Sequence, residues 1–262
     1  MSSSQNLFQM GGVLNGIRVL EQGTFITGPC AGMMLADLGA DVIKVESPDG
    51  DPYRSYQGDH YSPHFQAYNR NKRSLALDLK QPEERGLFEG LVREADVFIQ
   101  NFRPGTAARL GAGSERLTAI NPRLIYTSIS GFGASGPYVE RPSYDSVAQA
   151  LSGFLSVVVD SSRPRFLGPA LADAITGIYA AYGVLGALVQ RGRSGQGALV
   201  EVSMLEAMAH FAVEPFAAYF ALDQAPTSSD RPRLALPEPL VRGKLRRLDR
   251  GHEAAPEFLE GR

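Results

Sequence analysis

Short apolar runs with strand character alternate with longer stretches of helical periodicity along most of this chain. The strand-like runs are residues 17–20, 41–46, 74–79, 96–101, 124–129 and 198–203. Helical periodicity covers 30–38, 81–94, 144–152, 171–190 and the stretch from 203 to about 222. The connections are short, so consecutive strands are expected to be parallel. The pattern over 16–130 therefore predicts an α/β fold with a Rossmann-like, doubly wound sheet.

The predicted helix over residues 81–94 is amphipathic. Leu87, Leu91 and Val92 are expected to face the sheet, with acidic and basic residues on the opposite side. The flanks of the predicted domain differ in composition. Residues 1–15 are small and polar and are expected to be flexible, and 16–222 form the predicted domain. Residues 223–262 are interpreted as a linker and an atypical, disordered tail, because the last 32 residues hold 8 basic and 5 acidic side chains with little apolar periodicity.

Composition narrows the classes of function. The chain of 262 residues is 44% apolar and 21% charged, with a formal net charge of −2, which is typical of a globular protein and disfavours a nucleic-acid-binding domain. A single cysteine, Cys30, excludes a disulfide framework and a multi-cysteine metal site. The longest apolar stretch, 174–189, is too short to indicate a membrane span, and no secretory signal is found. We therefore expect a cytoplasmic protein without a membrane or nucleic-acid partner.

Two motifs carry candidate chemistry. Asp173 lies in the first turn of a small-residue, apolar helix. It is either a helix-start carboxylate favoured by the helix dipole or a carboxylate kept ionised beside a cleft, where it is a competent nucleophile. Residues 131–136 fit G-x-G-x-x-G, but Pro137 follows at once and no helix opens there, so a dinucleotide site is disfavoured. We interpret this segment as a glycine loop at a strand end, a place where ligand clefts form.

Other polar residues follow predicted strands. Arg103 lies in a loop directly after a strand and is either a phosphate-binding residue or part of a solvent-facing turn. Lys80 and the pair Lys72 and Arg73 flank another strand, where a nucleotide's phosphates or water are the alternative partners. Cys30 follows a proline at a helix start, and with no histidine nearby in sequence it is interpreted as a buried structural cysteine.

Several sequence blocks in a fixed order resemble the class III coenzyme A transferases, the CaiB/BaiF family. The blocks are GIRVL (16–20), GP (28–29), LADLGADVIKVE (35–46), NKRS (71–74), DVFIQNFRPG (96–105), NPRL (121–124), GFGASGP (131–137) and the segment around Asp173. Each block alone is weak, but their order over residues 14–222 makes the resemblance specific. It implies the large, Rossmann-like, CoA-binding domain of that family, with the small domain largely missing.

The resemblance also implies a reaction. In the family an aspartate attacks the acyl-CoA thioester, forms an aspartyl mixed anhydride and frees the CoA thiolate, after which an acceptor acid takes up the CoA. The matching nucleophile is Asp173. The residues that match the family's CoA contacts, together with the segment beside the nucleophile, are Ile26, Thr27, Leu77, Lys80, Asn101, Phe102, Arg103, Arg109, Tyr144 and Asp145. The implied partners are an acyl-CoA, a carboxylic acid and a second copy of the chain, with no permanently bound cofactor.

Three departures from the family pattern leave alternatives open. Ser47 stands where relatives often carry a basic residue near the adenosine phosphates. Tyr144-Asp-Ser-Val147 replaces the histidine motif of the racemase branch, which favours a transferase over a 2-methylacyl-CoA racemase. The resemblance ends near residue 235, so we expect a truncated or frameshifted product. A non-catalytic CoA-binding remnant is the alternative to an enzyme.

Overall fold

A single parallel sheet is the centre of the fold. The structure, a computed structural model, describes residues 12–57, 62–159 and 167–222. Six strands pair in parallel in the order β3-β2-β1-β4-β5-β6. The strands are β1 (Arg18–Gln22), β2 (Asp41–Glu46), β3 (Lys72–Ala76), β4 (Val97–Gln100), β5 (Ile125–Ser130) and β6 (Ala198–Ser203). This is the strand order of a doubly wound Rossmann-type sheet, as the strand–helix alternation predicted.

Helices follow the strands and cover both faces of the sheet. They are α1 (Thr27–Asp37), α2 (Pro63–Asn69), α3 (Pro82–Glu94), α4 (Thr106–Arg109), α5 (Ser114–Ile120), α6 (Asp145–Leu151), α7 (Phe154–Val158), α8 (Leu171–Ser194), α9 (Met204–Phe211) and α10 (Val213–Leu222), with a 3-10 turn at Pro52–Arg54. The sheet and the helices through α9, apart from the end of α7, belong to one compact unit. Of a second unit the structure describes only residues 156–159 and 214–222.

The buried apolar side chains form a core on each face of the sheet. On one face, α1 and α8 pack through Leu35, Ala180 and Val184, all essentially inaccessible to solvent. On the other, α3 and α5 pack through Phe88 and Leu117. Helices on both faces bury most of the central strands, and apolar residues such as Val19, Leu20 and Phe98 are inaccessible to solvent.

The sequence-based boundaries of β2 and β6 are confirmed, but the predicted inner face of α3 is wrong in one residue. Leu87 is 64% exposed, whereas its neighbour Phe88 is fully buried and takes the core position. Both residues are apolar, so the helical period alone did not decide which of them faces the sheet. The helix predicted from 203 to 222 is broken at Ala212 into α9 and α10.

Helix α8 is long and apolar enough to cross a membrane by length and composition. It is also a core helix, since Ala180, Ala181, Val184 and Ala187 pack against the sheet. Burial against the sheet therefore accounts for these apolar residues of α8, whereas Ile178, Tyr182 and Val189 on the same helix are exposed.

The strand order reverses between β1 and β4. The chain leaves β1 in one direction across the sheet and β4 in the other, so the loops after these two strands diverge and leave a crevice at their carboxyl ends. The loops that border this crevice are residues 23–26 and 101–105. Ligands of open α/β sheets bind at such a point.

Candidate functional site

A cavity of about 520 Å³ lies at the carboxyl end of the sheet, where the loops after β1 and β4 separate. We call it the Asp173 cavity. Its wall includes residues 24–27 of the first loop, residues 101–104 of the second, and Tyr144 and Asp173. The sequence-predicted residues Ile26, Thr27, Asn101, Phe102, Arg103 and Tyr144 are therefore brought together around Asp173.

The carboxylate of Asp173 is at the start of α8, in the first helical turn. Burial, with the neighbouring Asp145 charge as the second cause, raises the pKa of Asp173 to about 7. Within the part of the chain that the structure describes, this carboxylate accepts no hydrogen bond. At neutral pH, protonated and ionised forms are both populated, and the ionised form has lone pairs free for a ligand.

Asp145, not Asp173, caps the helix start. Oδ1 of Asp145 accepts the backbone N–H of Ala172 at 2.7 Å and that of Asp173 at 3.2 Å. Its other oxygen accepts a hydrogen bond from the Gln149 side chain at 2.6 Å. The sequence left Asp173 as either a helix-start carboxylate or an ionised nucleophile beside a cleft. In the structure Asp145, not Asp173, accepts the free amides of the helix start, and burial together with the Asp145 charge raises the pKa of Asp173.

The approach of α1 to α8 depends on Gly177. A Cβ at this position would meet the Cβ of Cys30 at 2.6 Å, its Sγ at 2.9 Å and the carbonyl oxygen of Thr27 at 2.9 Å. Cys30 is itself buried, and burial raises the pKa of its thiol, as expected for a structural cysteine. The glycine lets the start of α1, including Thr27, pack directly against the turn that follows Asp173.

Asn101 ties the two loops of the crevice together. Its Nδ2 donates to the carbonyl oxygen of Thr24 and to the hydroxyl of Thr27, both at 2.8 Å. Its Oδ1 accepts the backbone N–H of Thr24 at 2.9 Å. The carboxamide that the sequence proposed as a CoA contact thus has its hydrogen bonds inside the protein and holds the wall of the cavity.

A network of buried charged side chains holds the loop after β1, residues 23–26. Lys44 Nζ lies 3.1 Å from the carboxylate of Asp51 and donates to the carbonyl of Gly23 at 2.8 Å. Oδ1 of Asp51 accepts the backbone N–H of Phe25 at 3.1 Å and that of Tyr53 at 2.9 Å.

The network includes two further side chains. Glu21 pairs with Lys44 at 3.4 Å and with Lys72 at 3.0 Å. The ammonium groups hold the pKa of Glu21 below its usual range despite complete burial. Phe25, which Asp51 holds through its amide, adopts a left-handed φ of 58° that is unusual for a bulky residue. This network was not predicted from the sequence, where a lysine and a glutamate within largely apolar strands were the available signal.

A second cavity of about 370 Å³ adjoins the first, and Thr24 and Phe102 line both. We call it the Lys80 cavity. It contains the sequence-predicted residues Leu77 and Lys80, together with Gln22, which the sequence analysis did not single out. Arg109 lies outside these cavities, and its guanidinium donates to the Thr106 hydroxyl at 2.7 Å.

A third cavity of about 290 Å³ lies beside the other two, and Phe102 and Arg103 are part of its wall. Arg103 therefore borders both this cavity and the Asp173 cavity. Among the described residues, no group of three or more histidine, cysteine or carboxylate side chains is arranged to hold a metal ion.

Comparison with known proteins agrees on one family. Residues 14–239 match the model of CoA-transferase family III. The succinate–glutarate CoA-transferase of Agrobacterium fabrum is 44% identical over 204 residues, which are 74% of this chain and 51% of that protein. The succinyl-CoA–D-citramalate CoA-transferase of Chloroflexus aurantiacus is 41% identical over 198 residues, covering 74% of this chain and 49% of its own length.

Solved structures give the same result. The crystal structure of a CAIB/BAIF family protein from Brucella suis matches with a TM-score of 0.79 and 39% identity, over 83% of this chain and 60% of that one. The described sheet and its flanking helices therefore have the architecture of that protein's corresponding part. The chain spans about half the length of the curated relatives that it matches.

Proposed function

Because this chain belongs to CoA-transferase family III, we propose that it transfers coenzyme A from an acyl-CoA to a carboxylic acid through an aspartyl anhydride on Asp173. In this proposal an oxygen of Asp173 bonds to the thioester carbonyl carbon, the carbon–sulfur bond breaks, and CoA leaves as the thiolate. The acceptor carboxylate then attacks the side-chain carbonyl carbon of Asp173, and the donor acid leaves as its carboxylate. The thiolate attacks the acyl carbon of this new anhydride, which forms the acceptor's CoA thioester and frees the Asp173 carboxylate. No permanently bound cofactor takes part.

One observation carries the proposal: a carboxylate without hydrogen-bond partners among the described residues lines a cavity at the switch point of the sheet. A carboxylate nucleophile has to be partly desolvated to attack a thioester, and burial does this for Asp173. An anhydride keeps the activation of the thioester, which hydrolysis would lose.

The two adjoining cavities support a ligand as long as CoA. An acyl thioester in the Asp173 cavity would continue past Thr24 and Phe102 into the Lys80 cavity. There Leu77 offers an apolar wall and Lys80 a positive charge, among the carboxylates of Glu46, Asp49, Asp51 and Asp78, while Arg103 lines the Asp173 cavity. Apolar walls with a few charged groups suit a molecule that combines an adenine, phosphates and a long arm.

For the acceptor we propose a small dicarboxylic acid. Arg103 and Arg141 both line the Asp173 cavity and offer guanidinium groups to a second carboxylate. The Agrobacterium and Chloroflexus relatives are named for succinate, glutarate and citramalate. We propose residues 16–222 as the CoA-binding domain of a cytoplasmic homodimer.

The test is covalent capture of the acyl group. The purified chain is incubated with succinyl-CoA or acetyl-CoA and analysed by intact-protein and peptide mass spectrometry, with hydroxylamine to trap the anhydride. We expect an adduct on Asp173 that is absent from Asp173→Asn, a variant of nearly the same shape. Binding of CoA without an adduct from any donor would support the non-catalytic remnant. Exchange of the Cα proton of a 2-methylacyl-CoA would support the racemase.

A further inference from the structure

Gln22, the last residue of β1, has a buried carboxamide without a partner. The residue is only 7% exposed, and its Oε1 accepts no hydrogen bond. Within the described ranges its Nε2 donates none. An unpaired buried carbonyl oxygen costs folding free energy, since water satisfied it in the unfolded chain.

The neighbouring strand β4 carries a glutamine whose carboxamide does have hydrogen-bond partners. Gln100 of β4 is in register with Gln22 and is similarly buried. Its Nε2 donates to the Ser128 hydroxyl at 2.8 Å, and its Oε1 accepts the backbone N–H of Phe102 at 2.8 Å. Two register-paired glutamines at the switch point thus differ in one respect: Gln100 bonds to the protein and Gln22 does not.

The surroundings of Gln22 distinguish it from another unpaired group. The hydroxyl of Thr127 is also buried without a partner, but Thr127 lies outside the three cavities described above. Gln22 is one of the residues that line the Lys80 cavity, as are Leu77 and Lys80. The side chain that carries the unpaired oxygen therefore borders a space large enough for part of a ligand, whereas Thr127 borders none of the three cavities.

We infer that Gln22 is a CoA-binding residue, whose carboxamide oxygen accepts a hydrogen bond from an N–H or O–H group of CoA in the Lys80 cavity. This inference rests on the proposed function, because it places the thioester at Asp173 and a more distant part of CoA at Lys80. CoA carries suitable donors in that part: the amides of the pantetheine arm, and the amino and hydroxyl groups of the adenosine. The unpaired carboxamide oxygen destabilises the ligand-free protein, and the hydrogen bond to CoA removes this destabilisation.

The test compares Gln22→Leu with Thr127→Val, since each removes an unpaired buried polar group with little change of shape. Affinity for CoA is measured by titration calorimetry, and stability by thermal unfolding without ligand. We expect Gln22→Leu to weaken CoA binding about 2- to 10-fold while the melting temperature stays equal or rises. Thr127→Val should leave the affinity for CoA unchanged. Gln22→Met is a second variant with a flexible apolar side chain, and the same result is expected.

Each outcome separates this inference from the proposed function. If the wild type binds CoA and both Gln22 variants bind it equally well, the role of Gln22 is wrong while the function stands. If the folded wild type binds no CoA, both fail. An equal loss of CoA affinity in Thr127→Val would show that any polar-to-apolar change in the core weakens CoA binding, and would also overturn the inference. Competition by pantetheine and by adenosine 3′,5′-bisphosphate then locates the donor, since only the fragment that carries it should lose affinity in Gln22→Leu.

Discussion

The Oδ1 atom of Asp145 accepts the backbone N–H of Asp173 at 3.2 Å, so two carboxylates share one helix start in opposite roles. Asp145 takes the amides and Asp173 keeps its own oxygens free. The Asp145 charge is the second cause, after burial, of the raised pKa of Asp173. One neighbour therefore both orients the first turn of α8 and tunes the basicity of the proposed nucleophile.

Replacing Asp145 by asparagine should lower the pKa of Asp173. The asparagine oxygen can still accept the amides of Ala172 and Asp173, but the negative charge is gone. The rate of adduct formation on Asp173 then reaches its plateau at a lower pH than in the wild type. The measurement is the pH profile of single-turnover acylation followed by mass spectrometry. A profile that does not move would show that burial alone sets the pKa.

The ionisation of Asp173 should make the wild type less stable as pH rises. The folded protein holds the Asp173 proton up to a pKa of about 7, against an ordinary pKa of 3.8 for an aspartate in an unfolded chain. Between these two pH values the folded state binds more protons than the unfolded state. The contribution of Asp173 to the free energy of unfolding is therefore greatest below about pH 4 and is lost as the pH rises to about 7. The loss is at most about 4 kcal/mol.

The variant Asp173→Asn isolates this contribution. It has no proton to lose, so its free energy of unfolding relative to the wild type should increase from pH 4 to pH 8. Urea unfolding of both proteins at several pH values measures the difference. Parallel stability curves for the two proteins would mean that Asp173 titrates normally.

Gly177→Ala should destabilise the fold by about 1–3 kcal/mol. The new methyl group would lie within 3 Å of Cys30 and of the Thr27 carbonyl, and one of these contacts is backbone. The matched control is Gly186→Ala on the same helix, where no atom lies within 4 Å and alanine should stabilise by about 0.5–1 kcal/mol. Denaturant unfolding measures both. Equal effects would contradict the close approach of α1 to α8.

Asp51→Ala should cost about 3–5 kcal/mol, because it leaves Lys44 buried with one partner fewer. It also removes the acceptor of the Phe25 and Tyr53 amides, so hydrogen exchange at these two loop amides should become faster, with no change at the amides of the strands. The control is Arg116→Ala, which breaks the ion pair of Arg116 and Glu89, where Arg116 is solvent-exposed, and should change stability by less than about 1 kcal/mol.

Arg103→Ala should weaken CoA binding by about 1–3 kcal/mol if its guanidinium bonds to a phosphate of CoA, and should leave CoA binding unchanged if it bonds only to the carboxylate of the acceptor acid. Arg109→Ala should have a smaller effect, because Arg109 lies outside the three cavities and donates to Thr106. Calorimetric titration with CoA at two salt concentrations measures both. A larger loss of CoA affinity in Arg109→Ala than in Arg103→Ala would show that Arg109 contacts CoA, as the family resemblance implied.

Much of the fold was predictable, because the spacing of apolar residues over a short stretch of sequence distinguishes a strand from a helix. The bounds of β2 and β6 and the doubly wound arrangement follow from apolar runs and short connections, which restrict parallel strands to few topologies. Side-chain direction was less predictable, as Leu87 shows. Adjacent apolar residues satisfy the same helical pattern, and only packing against the sheet decides that Phe88 is buried.

The site divides in the same way. The order of the sequence blocks and the aspartate at position 173 could be identified from the sequence alone, because members of a family share motifs in the same order. The partners of those residues were not. Asn101 bonds to a loop 77 residues away, and Asp145 reaches the amide of a residue 28 positions along the chain. Gln22 and Gln100 are the same residue type in register on adjacent strands, yet one is satisfied and the other is not. Hydrogen-bond partners and burial depend on which segments the fold brings together, and that is a property of the tertiary structure.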